Sequence, residues 1–339
     1  MMATRVEALV PPEERLTLPQ WAQRNLFDGL WNTILTLTTA VALGTAFVHV
    51  ARWVSAAHWS VITDNPRFWL VGLMPVELVG RAMWAGGLIA VMTVLTVVGV
   101  RAQVRPRSLA AAWGGMVVAV LWIMSPLRLD QIGGLYLTLL LAVVAISFSF
   151  PIGMIVGVGR VSTLPVIRTL STVYIEAIRG IPFITLLLWF SVFVSLVSGD
   201  ALTRVQRAMI AMTIFTSAYV GEIVRAGIQA VPKGQVEAAR AVGLSSLETM
   251  RYVVLPQAIK NMIPALVGQF ISLFKDTSLA VIIGLTELVG TGRALLSITT
   301  YLHDVREVYV FLIIVYFIFS SAMSYGSRVL EKRLGLGER

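Results

Sequence analysis

The fold of this chain is decided by the stretch VPKGQVEAARAVGLSSLETMRYVVLPQAIKNMIP, residues 231–264, which contains the one long polar interruption between apolar segments. Good helix formers near its start are followed by Gly243, a residue type that suits the left-handed position just past a helix end. Ser245 stands three residues before Glu248, the spacing of a capping box, which predicts the start of a second helix. Because proline lacks an N–H, we expect Pro256 to disrupt or end that helix. The stretch therefore predicts two short helices joined by a tight turn.

The composition indicates that lipid is the solvent of this chain. Of 339 residues, 57% are hydrophobic and 13% are charged, with a mean hydropathy of +0.82. A soluble globular protein has roughly a quarter of its residues charged, and disorder requires low hydrophobicity, so both classes are excluded. The net charge of +9 would suggest nucleic acid for a soluble protein, but basic residues collect in the cytoplasmic loops of membrane proteins, and we expect no nucleic acid partner. The lack of cysteine excludes disulfides and thiolate sites, and the three histidines are too far apart to suggest a metal motif.

Eight apolar stretches approach the roughly 20 residues that a helix needs to cross a bilayer. They are residues 31–51, 82–100, 108–127, 131–159, 180–199, 208–221, 261–286 and 308–327. Glu222 closes the sixth stretch early, and Lys275 and Asp276 interrupt the seventh. Backbone polar groups in lipid must be satisfied within each segment, so the prediction is an all-α integral membrane protein with about eight transmembrane helices.

Basic residues predict the orientation of these helices. Residues 1–30 carry charges of both signs and lack the basic start and short apolar core of a cleaved signal peptide, so we expect a cytoplasmic tail. Eight crossings then return the C-terminus to the cytoplasm. In this topology eight of the 27 basic residues lie outside and the other 19 lie inside, which agrees with the positive-inside rule.

The 231–264 stretch resembles the EAA loop of permease subunits from binding-protein-dependent ABC importers. Glu237-Ala238-Ala239 is followed after three residues by Gly243, and Leu255-Pro256 stands at the family spacing. Val253 occupies a position where isoleucine is usual, which is a conservative departure. On spacing alone, the loop could equally be a connector that packs against its own helix bundle.

Other motifs resemble the polar amino acid branch of these permeases. They are YIEAIRGIP at 174–182, Ala218-Tyr219 with Glu222 and Arg225, VPKGQ at 231–235, and KDTSL at 275–279. This likeness covers roughly Leu135 to Glu331. The three helices before it resemble, in architecture and overall likeness, the extended N-termini of general L-amino acid importer permeases of the Aap and Bzt type. The implied organisation is a cytoplasmic tail at 1–30, an N-terminal extension with three transmembrane helices at 31–130, a five-helix type I ABC importer permease core at 131–331 with its EAA loop at 231–260, and a cytoplasmic tail at 332–339.

The resemblance implies a permease subunit in a bacterial inner membrane. Its implied partners are a second permease subunit of related sequence, two ATPase subunits that bind ATP and Mg²⁺, and a periplasmic protein that delivers a polar L-amino acid. The ATPase would hold the loop through Glu237, Ala238, Ala239, Arg240, Gly243 and Leu244. A phosphate-binding P-loop needs Gly-Lys-Ser/Thr, and none of the four lysines follows a glycine, so we expect no ATP site and no cofactor on this chain.

Two pairs of opposite charges stand three residues apart near the inner ends of the fifth and sixth predicted helices. They are Glu176 with Arg179 and Glu222 with Arg225. This spacing predicts i,i+3 ion pairs that anchor the helix ends. Gate latching or contact with the partner permease are the functional alternatives.

Lys275 and Asp276 lie about 14 residues into the seventh segment, a depth of roughly 20 Å. Ionisable groups at such depth usually face a protein interior or an aqueous cavity, and Thr277 and Ser278 add hydroxyl groups. We hypothesise that these four residues face the transport pathway or the subunit interface, with a buried structural pair as the alternative.

The leading functional interpretation is a permease subunit that forms half of the pathway of an ATP-driven amino acid importer. The alternative is an ion-coupled secondary amino acid transporter, a class that typically shows internal repeats, and the sequence has no convincing one. We find no nucleophile with a base, no paired carboxylates and no metal-ligand motif, so catalysis by this chain is not expected.

Overall fold

A computed structural model of the chain describes residues 17–101, 106–125 and 128–333. The predicted tails at 1–30 and 332–339 therefore fall partly outside the described residues. The α-helices of the described residues are α1 (Leu18–Leu26), α2 (Leu30–Ala56), α3 (Ser60–Thr63), α4 (Pro66–Val71), α5 (Val76–Arg101), α6 (Pro106–Met124), α7 (Gly134–Arg160), α8 (Pro165–Arg179), α9 (Phe183–Ser198), α10 (Arg204–Gln229), α11 (Lys233–Ala241), α12 (Ser246–Glu248), α13 (Leu255–Asp276), α14 (Leu288–Leu296) and α15 (Val305–Arg333). A π-helical segment, Thr249–Val254, joins α12 to α13, and a 3₁₀ segment, Thr277–Ile283, follows α13.

A helix occupies most of each predicted apolar stretch, so the all-helical membrane fold is confirmed. By length and composition, five helical spans within the described residues could each cross a bilayer, and the bent pair α8 and α9 would make a sixth. The five are Leu30–Ala56, Gly134–Arg160, Arg204–Gln229, Ser246–Ile283 and Val305–Lys332. Helices α5 and α6 lie at the second and third predicted stretches.

The fifth predicted helix is preceded by a separate amphipathic helix. Helix α8 ends at Arg179, and α9 begins after Pro182 at an angle of 97° to it. The chain changes direction here because proline has no N–H to continue the hydrogen-bond ladder. Glu176 and Arg179 therefore lie at the end of α8, a few residues before the start of α9 at Phe183.

The sixth predicted helix is longer than the apolar stretch 208–221. Helix α10 runs from Arg204 to Gln229 and continues through Glu222 and Arg225. A helix can carry these charges because Glu222 and Arg225 pair with each other and Glu222 also pairs with Arg160 of α7, and the apolar content alone underestimated its length.

Helices α7 and α10 pack closely through small residues. A Cβ atom added at Gly153 would lie 2.5 Å from Val220 Cβ, and one at Gly157 would lie 2.5 Å from Val224 Cβ. Both separations are too short for a side chain, so glycine permits this close approach of the backbones. The GxxxG spacing in α7 marks a helix-packing face, as expected for this motif.

The described residues form two compact units, one ending at His58 and one beginning at Trp59. The segment 59–74 belongs to the same unit as the core helices α7, α14 and α15. A Cβ added at Gly72 would lie 2.7 Å from Gly133 Cα, and one at Gly134 would lie 2.5 Å from the Trp69 carbonyl oxygen. The boundary predicted at residue 130 places the segment 59–74 in the N-terminal extension, although this segment packs closely against the start of α7 in the core.

Candidate functional site

The EAA loop, residues 231–260, contains the predicted helix-turn-helix. At the end of α11, Leu244 N–H donates to the Ala239 carbonyl at 3.1 Å and Gly243 N–H donates to the Arg240 carbonyl at 3.0 Å. This hydrogen-bond pair is a Schellman motif, and the φ of Gly243 is +86°, in the left-handed region. The turn therefore depends on the glycine, as its position in the sequence predicted.

The second helix of the loop begins with the predicted capping box. Ser245 Oγ accepts the Glu248 N–H at 3.3 Å, and Glu248 Oε2 accepts the Ser245 N–H at 2.9 Å. Two donors that the first helical turn leaves open are thereby satisfied. The direction in which the chain leaves the turn is thus set by local hydrogen bonds.

Pro256 was predicted to disrupt or end this helix; a π-helical segment precedes it, but the helix does not end there, so the second part of the prediction is wrong. The π-helical segment Thr249–Val254 leads directly into α13, and Pro256 lies in the first turn of α13. Proline is tolerated because the wider π turn shifts the hydrogen-bond register just before it. The loop is consequently joined to the membrane by one continuous helical segment, Ser246–Ile283.

The inner surface of the loop is anchored in the helix bundle. Val231 and Val254 are buried in a cluster with Val220 and Val224 of α10. A Cβ added at Gly227 would overlap Met262 Cγ of α13, which shows how closely α10 and α13 approach beneath the loop. Displacement of the loop must therefore displace both helices.

The outer surface of the loop carries exposed apolar side chains, which we name the loop patch: Val242, Leu247 and Tyr252. Their exposed fractions are 78%, 77% and 64%. Sequence reasoning gave none of the three a contact role, although Val242 and Leu247 are apolar residues within a polar stretch, a signal that was available. Val242 lies outside the candidate membrane spans, and Leu247 and Tyr252 lie in the first two turns of the segment Ser246–Ile283, close to the turn at Gly243. Large exposed apolar side chains beside a polar loop are suited to contact with another protein.

The six residues predicted to contact an ATPase differ in how exposed they are. Four are exposed: Glu237, Ala238, Arg240 and Gly243. Leu244 is half-buried. Ala239 is only 5% exposed, so its side chain offers little surface to a partner, and its contact with an ATPase stays a prediction.

Glu222 lies at the centre of an ion-pair network beneath the loop. Its carboxylate contacts Arg225 Nη2 at 2.6 Å, Arg160 Nη1 at 2.7 Å and Arg179 Nη1 at 3.7 Å. Arg160 also forms an ion pair with Glu176. The spacing thus identified the Glu222–Arg225 pair, whereas Glu176 and Arg179 take partners on other helices and the pair predicted between them is wrong.

The network joins helices that are distant in the sequence. Arg160 ends α7, Glu176 and Arg179 end α8, and Glu222 belongs to α10. Tyr174 of α8 adds a hydrogen bond of 2.6 Å between its hydroxyl and Ser217 Oγ of α10. Arg160 was missed from the sequence because its partners are 16 and 62 residues away.

The four residues predicted to face the pathway or an interface lie where α13 passes into the 3₁₀ segment. Lys275 is exposed, Asp276 and Ser278 are half-buried, and Thr277 is fully buried, with its Oγ1 donating to the Phe274 carbonyl at 2.6 Å. No ion pair within 4.0 Å joins Lys275 to Asp276 in this described segment, which disfavours a structural pair. Their facing the pathway or an interface stays a prediction.

A buried carboxylate that sequence reasoning did not single out precedes α14. Glu287 is 0% exposed and caps the helix, accepting the N–H groups of Val289 at 2.9 Å and Gly290 at 3.0 Å. Burial raises the pKa of Glu287 to about 7, although the two backbone hydrogen bonds oppose the rise. Its place one residue before an apolar helix start was the available signal.

Comparisons with known proteins agree on one family. The model described as binding-protein-dependent transport system inner membrane component matches residues 149–336. Inner membrane amino-acid ABC transporter permease protein YhdY of Escherichia coli K12 is 34% identical over 94% of this chain and 93% of its own length. Glutamate/glutamine/aspartate/asparagine transport system permease protein BztC of Rhodobacter capsulatus is 28% identical over 97% of each chain. A chain from the crystal structure of an amino acid ABC transporter with histidines matches with a TM-score of 0.55 and 34% identity, covering 59% of this chain and 92% of that one.

Proposed function

Because this chain belongs to the family of binding-protein-dependent transport system inner membrane components and is an ABC importer permease, we propose that its EAA loop is where a separate ATPase subunit drives amino acid import. The chain is a multi-pass protein of the inner membrane. The alternative of an ion-coupled secondary transporter has no support among the relatives, which are ABC permeases.

The proposed substrate is a polar L-amino acid. The relatives over nearly the full chain are named for amino acids, and BztC is named for glutamate, glutamine, aspartate and asparagine. The similarity to BztC extends over 97% of this chain, which includes the N-terminal helices. This extent favours an importer of the same broad substrate class.

The proposed assembly contains this chain, a related second permease subunit, two ATPase subunits and a periplasmic amino-acid-binding protein. Importer permeases of this family work with such partners in general. The two permeases together would form the pathway. ATP and Mg²⁺ would bind to the ATPase subunits, since the lysines of this chain do not stand in a P-loop.

The loop patch is the single observation that carries the proposed coupling. It combines three exposed apolar side chains with a rigid connection, through α10 and α13, to the membrane. A surface through which an ATPase moves the membrane helices must bind the ATPase and must not deform under load. The exposed apolar side chains of the patch suit the first requirement, and the buried contacts of the loop with α10 and α13 suit the second. Contact with a cytoplasmic ATPase would also place the loop and both chain termini in the cytoplasm.

Substitution of the patch tests the coupling. Burying a leucine side chain contributes about 1.5–3 kcal/mol, so Leu247→Ser should weaken binding of the ATPase at least about tenfold. Leu73→Ser is the matched control, because Leu73 is 72% exposed but lies in the 59–74 segment. Co-purification of the ATPase and ATP-dependent uptake into proteoliposomes are the two measurements.

The expected result is that Leu247→Ser lowers both ATPase retention and uptake, while Leu73→Ser retains the ATPase at the wild-type level. Equal retention in both variants would show that the patch does not bind the ATPase. Uptake that continues without ATP and stops on collapse of an ion gradient would refute the importer mechanism itself.

A further inference from the structure

A second feature of the EAA loop is an open groove on the side of α11. The groove has a volume of about 780 Å³ and lies between α11 and the ends of α7 and α10. Its wall includes four basic residues, Arg160, Arg168, Lys233 and Arg240, and one acidic residue, Glu237. This unequal charge favours an anion as the occupant.

Three of the four cations are available to a ligand. Arg160 is engaged by Glu176 and Glu222, and its side chain is 17% exposed. The side chains of the remaining three, all exposed, form no hydrogen bond or ion pair within the described part of the chain. Their charges are therefore not neutralised by the protein.

By helical spacing, the groove and Val242 of the loop patch lie on opposite sides of α11. Lys233, Glu237 and Arg240 recur at helical spacing on one face and line the groove. Val242 falls on the other side of the helix and is 78% exposed. A partner that covers the loop patch thus need not fill the groove.

The surroundings of the groove resemble a membrane boundary. Arg160 is the last residue of the span α7, and Gln229 is the last residue of the span α10. The wall also includes the apolar residues Ile228 and Val231, and the neighbouring helix α8 exposes Val166 and Leu170 at 70% and 66%. Basic residues at the end of a span beside apolar surface are suited to a lipid whose headgroup is anionic.

We propose that this groove binds the headgroup of an anionic phospholipid of the inner leaflet, with Arg168, Lys233 and Arg240 contacting its phosphate. The assignment of the lipid to the inner leaflet rests on the proposed function, whereas the excess of basic residues in the groove does not depend on it. A bound headgroup would connect α8 with α11. The position of the EAA loop would then depend on which lipids the membrane contains.

Lipid binding to the purified full chain, with whatever subunits accompany it, tests the proposal. Native mass spectrometry would compare phosphatidylglycerol, phosphatidylcholine and inorganic phosphate, and the ATPase content of each sample would be recorded. The test variant is Arg168→Gln with Lys233→Gln, and the control is Lys260→Gln, which removes an exposed cation of α13 that lies outside the groove. Since each basic residue near an anionic surface contributes about 1 kcal/mol, the double variant should lose roughly 10- to 30-fold in affinity for phosphatidylglycerol.

Support requires that the wild type and Lys260→Gln both prefer phosphatidylglycerol to phosphatidylcholine and that the double variant loses this preference. Unchanged binding by the double variant would overturn the proposal, as would an equal loss in Lys260→Gln. Binding of inorganic phosphate as tight as that of the lipid would overturn the lipid assignment. Loss of the ATPase without loss of lipid would assign the groove to the ATPase interface. A chain that purifies without any ATPase but keeps selective lipid binding would refute only the proposed function.

Discussion

Replacing Glu287 by glutamine should remove a pH dependence from the stability of this protein. Glu287 is fully buried and holds the N-terminus of α14 through the N–H groups of Val289 and Gly290. Glutamine cannot ionise and keeps one acceptor oxygen, so it can satisfy one of these two donors, while its amide NH2 replaces the oxygen that accepts from the other. The lost hydrogen bond does not titrate, so the part of the stability difference that varies with pH reports the cost of the buried charge.

The sign follows from the direction of the pKa change. The pKa of Glu287 is raised by burial from 4.5 to about 7, so the folded protein binds this proton more tightly than the unfolded chain does. The stabilisation is fully present below pH 4.5 and is lost as the pH rises through 7. The difference between the two pKa values corresponds to about 3 kcal/mol in the free energy of unfolding.

Thermal unfolding in detergent between pH 5 and 8, followed by the fluorescence of the nine tryptophans, measures the effect. With an unfolding entropy of about 2.1 cal/mol/K per residue, 3 kcal/mol corresponds to a shift of about 4 °C in Tm. We expect the wild type to lose about this much relative to Glu287→Gln as the pH is raised. The comparison uses the difference between the two proteins, so titration of all other groups cancels to first order.

A difference in Tm that stays constant across the pH range would refute this reasoning, since it would mean that Glu287 keeps one protonation state throughout. The control is Glu237→Gln, which removes an exposed carboxylate of the EAA loop. This variant should follow the wild-type pH profile. A flat profile for Glu237→Gln would assign the pH dependence to net charge instead of to burial.

Substitutions at four other positions have expected outcomes. Gly243→Ala should lower the free energy of unfolding by about 1–2 kcal/mol, because alanine disfavours a φ of +86°. No heavy atom lies within 4 Å of an added Cβ, so this cost comes from the backbone conformation and not from a clash. Gly243→Asn should cost less, and equal costs for the two variants would contradict a backbone origin. Gly157→Leu should abolish folded expression, because its Cβ would lie 2.5 Å from Val224 Cβ, and a well-folded variant by size-exclusion chromatography would refute the close packing. Glu222→Gln should lower Tm and uptake together by leaving its arginine partners without their shared carboxylate, at a cost of about 1–3 kcal/mol, and unchanged unfolding would show that the network contributes nothing. Asp276→Asn should lower transport with normal assembly, and wild-type uptake would remove Asp276 from any essential role.

The predictions that succeeded depended on local chemistry or on lipid as the solvent. Long apolar stretches must form helices because lipid cannot satisfy backbone groups, and helices occupy the predicted stretches. Gly243 and the pair Ser245 and Glu248 act through hydrogen bonds within a few residues of themselves, so their spacing was sufficient. Such features are determined before any tertiary contact forms.

The predictions that failed needed knowledge of the tertiary packing. Glu176 was assigned a partner three residues away, but packing of α8 beside α7 brings Arg160 closer. Pro256 was expected to end a helix because the intrinsic cost of proline was known while the π turn that accommodates it was not. Whether a proline ends a helix therefore depends on the backbone conformation around it as well as on the proline itself.

The physical requirement for coupling is that a small displacement of the loop reaches the membrane helices without being absorbed on the way. The segment Ser246–Ile283 is helical throughout, so it transmits an axial force, and α10 packs closely against α13 where Gly227 meets Met262. Glu222 then connects α10 to α7 and α8 through two arginines, Arg160 and Arg179. A flexible joint at any of these places would dissipate the motion, because loops yield at a far lower free energy than packed helices do. The turn at Gly243 is stiffened by its Schellman hydrogen bonds for the same reason, which explains why a glycine, a residue that normally adds flexibility, can stand within a mechanical connection.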